Sequence, residues 1–248
     1  MKLLLKISKF FGVLFLTVFL TLTVLAFSLH QITSPQQISE LIEQIAKIYI
    51  SKQNLTQFQR EFNYLKEYCK IKDKITFQID DKNLTIECEE LENKDINQFS
   101  VYLSEKIVKE RINEIYYKNY TCKFEDCWKE RENIFYYFSH QANVYYFTLT
   151  LYFMFTSFLG LFLILIAERA KSVKTIANCL IFVGITYFFK FFIGKMIEMK
   201  VPQDFSYLTE IIVKTISPIF DNFLPFLLTG IALFAIYKLR KLWFSSNK

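Results

Sequence analysis

The stretch YTCKFEDCWKE, residues 120–130, sets Cys122 and Cys127 five positions apart beside Trp128, and Cys69 and Cys88 lie upstream. Thiols in this number do one of three things: they hold a metal, they cycle between dithiol and disulfide, or they close covalent loops. Four thiolates would suit a tetrahedral zinc. However, C-x4-C is wider than a usual zinc knuckle, and eighteen residues separate the other two cysteines with no knuckle of their own. Disulfides are the expectation, and of the three connectivities that four cysteines allow the reading favours Cys69 with Cys88 and Cys122 with Cys127. Loop closure would give each roughly 2–3 kcal/mol. Cys179, inside an apolar block, is left over. No metal and no cofactor are expected.

The other residues with chemical potential are few. His30 and His140 bracket the hydrophilic middle of the chain, each a step from an apolar block. They are either interfacial or a proton-sensing or ligand pair. Lys190 is the one charge well inside an apolar block, with Asn178 and Tyr187 on the same block. An intramembrane charge is a functional candidate by default, but Lys195 lies five residues on, so the Lys190 stem is expected to reach the interface. All five glycines fall within or at the ends of the apolar blocks. That excludes a phosphate-cradling loop or dinucleotide fingerprint from the hydrophilic segment, and no nucleophile motif occurs. Asn54, Asn83 and Asn119 each open an N-x-T sequon, weak glycosylation candidates in a chain rich in Asn.

The elements that carry these residues begin with four apolar blocks: residues 10–29, 144–167, 175–197 and 223–239. Each is long enough for a helix to cross a hydrocarbon core of roughly 30 Å. The first, FFGVLFLTVFLTLTVLAFSL, is read as a retained anchor, because a cleaved signal has an apolar region of only about 7–15 residues. Cytoplasmic flanks retain Lys and Arg. Lys2, Lys6 and Lys9, then Arg169, Lys171 and Lys174, then Lys238, Arg240, Lys241 and Lys248 make ten on one side, against Lys195, Lys200 and Lys214 on the other. Both termini are therefore expected in the cytoplasm. The formal charge of +6 then resolves into +9 on the inner flanks and −3 elsewhere, which is not a nucleic-acid-binding face.

Between the first two blocks the periodicity is that of a water-soluble fold. SPQQISELIEQIAKIYI opens with an S-x-x-Q capping box at Ser34 and Gln37 and repeats apolar residues at Ile38, Leu41, Ile42, Ile45 and Tyr49 at helical spacing. A second helix is expected from Thr56, presenting Phe58, Phe62 and Leu65. KITFQIDDKNLTIEC alternates Ile75, Phe77, Ile79 and then Leu84, Ile86, Cys88, a β-hairpin. From Asp95 a capped helix turns Ile96, Phe99, Leu103 and Ile107 inward. Phe135, Tyr136, Tyr137, Phe138, Tyr145, Tyr146 and Phe147 crowd the start of the second block like an aromatic belt. DFSYLTEIIVKTI, within residues 203–219, reads as an amphipathic segment at the outer leaflet.

The expected fold is thus an integral membrane protein, mainly α, with four transmembrane helices and an α+β extracytoplasmic domain of helices plus one β-hairpin inserted between helices 1 and 2. The expected limits are 1–29 for the N-terminus and first helix, 30–143 for the extracytoplasmic domain, and 144–248 for helices 2–4 with a cytoplasmic tail. Four helices with paired cysteines resemble quinone-linked disulfide generators in helix number alone: C-x-x-C is missing and the cysteines share one segment, so that activity is not carried over. Claudin-like and tetraspanin-like patterns are absent. The functional expectation is a non-enzymatic multi-pass protein of the cell membrane whose disulfide-braced domain binds or positions a protein partner or a second copy. A subunit of a small transporter or channel is the alternative. Beyond the lipid bilayer and such a protein, no nucleic acid partner is expected.

Overall fold

A computed structural model describes residues 2–52, 56–79, 82–122, 124–127, 131–200 and 206–246. Asn54, the hairpin turn residues Asp80 and Asp81, Trp128, Pro202 and residues 203–205 of the amphipathic segment lie outside the described residues. The chain is mainly helical with one two-stranded sheet. It packs as two compact units, Met1–Ser34 with Asn119–Lys248, and Pro35–Lys118. By packing, the second unit ends at Lys118 and residues 119–143 group with the apolar helices; the expected limit at 143 is one of membrane side, which is a separate property.

Helix α1 (Lys2–Ile32) belongs to the first unit; the second begins at Pro35 with α2 (Pro35–Lys52) and α3 (Thr56–Cys69). Proline at the first helical position suits α2, since its missing N–H would be unsatisfied there in any case. The expected hairpin follows: β1 (Lys74–Ile79) pairs antiparallel with β2 (Lys82–Glu87), Ile75 opposite Ile86 and Phe77 opposite Leu84. Ile75, Leu84 and Ile86 are buried, as a period of two demands for a sheet with one covered face.

The alternation stops one residue sooner than the sequence pattern implied. Cys88 does not continue the strand but opens a short helix, α4 (Cys88–Glu92), and its backbone N–H donates to the Asp73 carbonyl at 2.9 Å across the hairpin base. The following residues, EELE, favour helix over strand, and the turn carries Leu91 to full burial. Helix α5 (Ile96–Tyr117) starts in a complete capping box: Asp95 Oδ1 accepts from the Gln98 N–H at 2.8 Å, and the Asp95 N–H donates to Gln98 Oε1 at 3.1 Å. Phe62, Leu84, Ile86, Leu91 and Phe99 form the core, with Leu65, Ile96, Leu103 and Ile107 packed around it. Each fully buried side chain of this size contributes roughly 1.5–3 kcal/mol. Ile38 and Ile42 of α2 pack on Tyr116 of α5.

The first unit continues from Asn119 through α6 (Phe124–Cys127), a 3-10 segment Arg131–Phe138, and α7 (His140–Glu168). Ser139 caps α7, its hydroxyl accepting from the Ala142 N–H. At the far end Arg169 takes a left-handed φ of 46°, and a three-residue 3-10 turn (Arg169–Lys171) leads into α8 (Ser172–Ile185). Glu168 ties that corner together, ion-paired to Lys9 at 2.6 Å and accepting from the Thr175 hydroxyl.

The third apolar block is not one unbroken helix. A 3-10 turn, Thr186–Phe188, separates α8 from α9 (Phe189–Lys200), although the run Ser172–Ile197 remains helical throughout. The amphipathic segment and the fourth block, read as separate elements, form α10 (Ser206–Asp221) and α11 (Leu224–Ser246) with a two-residue break at Asn222 and Phe223. Pro218 lies inside α10, where it cannot donate to the carbonyl one turn earlier, and at the break the Asn222 N–H still donates to the Pro218 carbonyl at 3.2 Å. Among the described residues four runs are long and apolar enough to cross a membrane: Leu3–Ile32, His140–Glu168, Ser172–Ile197 and Ile212–Lys241.

Glycine sets how closely these runs approach. A Cβ added at Gly160 of α7 would stand 2.5 Å from the Leu16 nitrogen of α1, and one at Gly12 would stand 3.0 Å from the Gly160 carbonyl. On the other pair, a Cβ at Gly184 of α8 would lie 2.4 Å from the Leu227 Cα of α11, and one at Gly230 would lie 2.7 Å from the Ile181 nitrogen. Lipid tails are as apolar as leucine, so close backbone packing is what associates such helices.

Candidate functional sites

The structure joins Cys69 to Cys88 and Cys122 to Cys127, with Cα separations of 5.2 and 5.3 Å. The two bridges serve different units. Cys69 ends α3 and Cys88 opens α4, so their bridge clamps the helix to the hairpin inside the α+β core. Cys122 and Cys127 belong instead to a small aromatic core with Tyr120, Phe124, Tyr136 and Tyr146, packed on Ala142 at the start of α7. Part of the expected aromatic belt is thus interior: Tyr136 and Tyr146 are buried, whereas Phe135, Phe138, Tyr145 and Phe147 are exposed. Burial raises the Tyr120 and Tyr136 phenol pKa values above the ordinary tyrosine range, so both remain neutral donors at any physiological pH. Cys179 is buried beside Leu16 and Ile164. Among the described residues no group of three or more His, Cys, Asp and Glu is placed to hold a metal.

Lys190 has a partner that hydropathy reading missed. Its Nζ donates to Asp221 Oδ1 at 2.7 Å and lies 4.1 Å from the Tyr187 ring centroid. Ser217, one turn before Asp221, donates to Oδ2 at 3.2 Å. Tyr187 and Lys190 are brought together as their spacing on one helix implies, while Asn178, on the same block, is exposed. Asp221 is the last acidic residue in the chain and lies just before the fourth apolar block; that position was the available signal.

His30 is engaged by α7. Its Nδ1 lies 3.2 Å from the Asn143 carbonyl and its ring packs on Phe147 with centroids 5.2 Å apart. Asn143, buried, donates from Nδ2 to the His30 carbonyl at 2.7 Å and to the Thr33 hydroxyl at 3.0 Å. On the same turns of α1, Asn222 donates to Ser28 Oγ at 2.9 Å and to Gln31 Oε1 at 2.8 Å. The last turns of α1 are therefore fastened to α7 by one asparagine and to the α10–α11 break by another. His140 opens α7 at an exposed position. Side chains of this kind become visible as joints only when the ends of separate helices are known to meet.

On the second unit, α3 presents two faces. Phe62, Leu65 and Cys69 turn into the core, while Tyr64 and Tyr68, at 71 % and 37 % exposure, lie on the other side and Ile71, 85 % exposed, follows in the turn after the helix. Arg60, Glu61, Glu67 and Lys70 flank these residues at exposed positions. Asn83 is exposed on β2. Asn119 is exposed, with its side-chain oxygen accepting from Gln141 Nε2 at 2.8 Å.

No protein-family model, no curated protein and no solved structure matches this chain.

Proposed function

We propose that the chain is a non-enzymatic multi-pass protein of the cell membrane, with both termini in the cytoplasm, that holds its α+β unit outside the cell as a recognition module for a protein partner. The orientation rests on ten Lys and Arg residues beside one set of helix ends against three on the other. Disulfides, which persist in oxidising compartments, agree with it: Cys69 is joined to Cys88 and Cys122 to Cys127.

One observation carries the recognition reading. The outer face of α3 exposes Tyr64 and Tyr68, with Ile71 exposed in the turn that follows, on a helix whose other face and C-terminal cysteine are locked into a covalently closed core. Rigid amphipathic tyrosines rimmed by charge are the usual anchors of protein interfaces. The ion pair of Lys190 with Asp221 supports an anchoring role for that lysine over the alternative of a transporter or channel subunit, since a balanced charge needs no mobile counter-ion.

A photo-crosslinking residue placed at Tyr68 in the full chain, with Asn97 on α5 as an exposed control position, tests this reading. A discrete heterologous adduct from position 68 and none from 97 is expected. Identical adduct patterns from both positions, or adducts to lipid alone, would remove the recognition face.

A further inference from the structure

Between α9 and α10 lies a cavity of about 390 Å³, lined mainly by Phe191, Gly194, Ile197, Val213, Ile216 and Ser217. Its size falls within the roughly 300–1,000 Å³ of small-molecule sites. Two features distinguish it from a packing defect.

The first is Gly194. Every other glycine in the chain would drive an added Cβ to within 3 Å of a neighbouring helix, whereas at Gly194 the Cβ meets nothing within 4 Å. This glycine therefore does not bring helices together; it leaves the cavity open. The second is charge. Two lysines are among the residues that line the cavity, Lys190 and Lys195. Asp221 offsets Lys190, while Lys195 is exposed, with no hydrogen bond or ion pair among the described residues. The lining is thus apolar with one positive charge in excess, the complement of an alkyl chain that ends in a single anionic group.

The cavity also lies where the runs Ser172–Ile197 and Ile212–Lys241 meet at one end. Lysines at such ends sit at the level of lipid headgroups. We infer that this cavity holds an anionic phospholipid of the surrounding bilayer, its acyl chain between α9 and α10 and its phosphate on Lys195. The site is separate from the α+β unit and does not depend on that unit's role.

Native mass spectrometry of the full chain, released from mixed nanodiscs of phosphatidylglycerol and phosphatidylcholine, reads out which lipid is retained. The wild type is expected to keep phosphatidylglycerol in preference to phosphatidylcholine. K195Q is expected to reduce that preference about five-fold, the equivalent of ~1 kcal/mol for one basic residue at a charged lipid surface. G194F, which fills the cavity from its open side, is expected to release both lipids. Equal retention of the two lipids by the wild type would overturn the proposal, as would a K195Q profile matching the wild type; because Lys195 is exposed, that arm decides even if G194F folds poorly. A wild-type dimer that G194F converts to monomer would assign the cavity to a second copy of the chain and equally overturn it.

Discussion

If close backbone approach holds the apolar helices together, then adding a single methyl group should have opposite effects at two glycines. At Gly184, the Cβ of alanine would be placed 2.4 Å from both the nitrogen and the Cα of Leu227. Non-bonded carbons prefer about 3.5–4.0 Å, so α8 and α11 must move apart locally by on the order of 1 Å. Neither contact atom is the end of a flexible side chain, so rotamer changes cannot relieve the overlap. Overpacking of this kind costs roughly 1–3 kcal/mol, partly offset by the roughly 1 kcal/mol that alanine gains over glycine in a helix. The net expectation for Gly184→Ala is a loss of up to about 2 kcal/mol. Gly194→Ala meets no neighbour and should retain only the helix gain, up to about 1 kcal/mol. Cys179 provides the assay, since it is a buried free thiol on α8 itself. Its maleimide reactivity against temperature, in detergent and with the disulfides intact, reports when α8 comes away from Leu16 of α1 and Ile164 of α7, and so follows loss of the helix packing as a whole. The Gly184→Ala curve should shift to lower temperature and the Gly194→Ala curve should not. A shift of equal size and sign in both variants would mean that the helices are not held by backbone contact at Gly184.

Three further outcomes concern the α+β unit in the intact protein. Asp95→Ala removes the capping box at the start of α5 and should weaken hydrogen-exchange protection in its first turns by about 1 kcal/mol; unchanged protection would show that packing of Phe99 alone fixes the helix start. Replacing Cys69 and Cys88 together by serine opens a loop of sequence separation 19 and should lower protection of the hairpin by about 3 kcal/mol, with no change meaning that the unfolded unit is not constrained by the bridge. Glu87 accepts a hydrogen bond from Lys74 at 2.8 Å across the hairpin, and that bond and charge hold the carboxyl below its usual range and the ammonium above its own. The pair's contribution is therefore complete between those ranges, lost at the acid end as pH falls through the depressed Glu87 value, and lost at the alkaline end as pH rises through the raised Lys74 value. Glu87→Gln should flatten the acid limb of hairpin protection, and an acid limb identical to that of the wild type would contradict the pairing.

What could be read from the sequence was whatever depends on neighbours along the chain. The hairpin followed from a period of two at Ile75 and Phe77 and at Leu84 and Ile86, and the α5 start from Asp95 and Gln98, because both are local patterns with a single geometric solution. The cysteine pairing followed from the ends of elements that had already been placed. Contacts between distant segments were not legible. Lys190 and Asp221 are 31 residues apart, and nothing in either apolar block specifies their relative rotation. The helix-facing role of Gly12, Gly160, Gly184 and Gly230 likewise depends on which side of each helix meets another. The alternation of Leu84 and Ile86 extends by one residue to Cys88, but the helical preference of the acidic run after it is stronger and Cys88 opens α4. Residues 119–143 were grouped with the hydrophilic module on polarity, although Tyr120, Tyr136 and the Cys122–Cys127 bridge give them a core of their own against α7.

The account depends most on the side of the membrane that receives the α+β unit. Labelling intact cells with a membrane-impermeant maleimide, before and after treatment with an impermeant reductant, measures sidedness and cysteine pairing at once. The predicted result is no labelling before reduction and labelling afterwards without permeabilisation, at the half-buried Cys122 first and at the buried Cys69, Cys88 and Cys127 only as their bridges open, with Cys179 unreactive throughout. Free thiols that label only once the cells are permeabilised would contradict it.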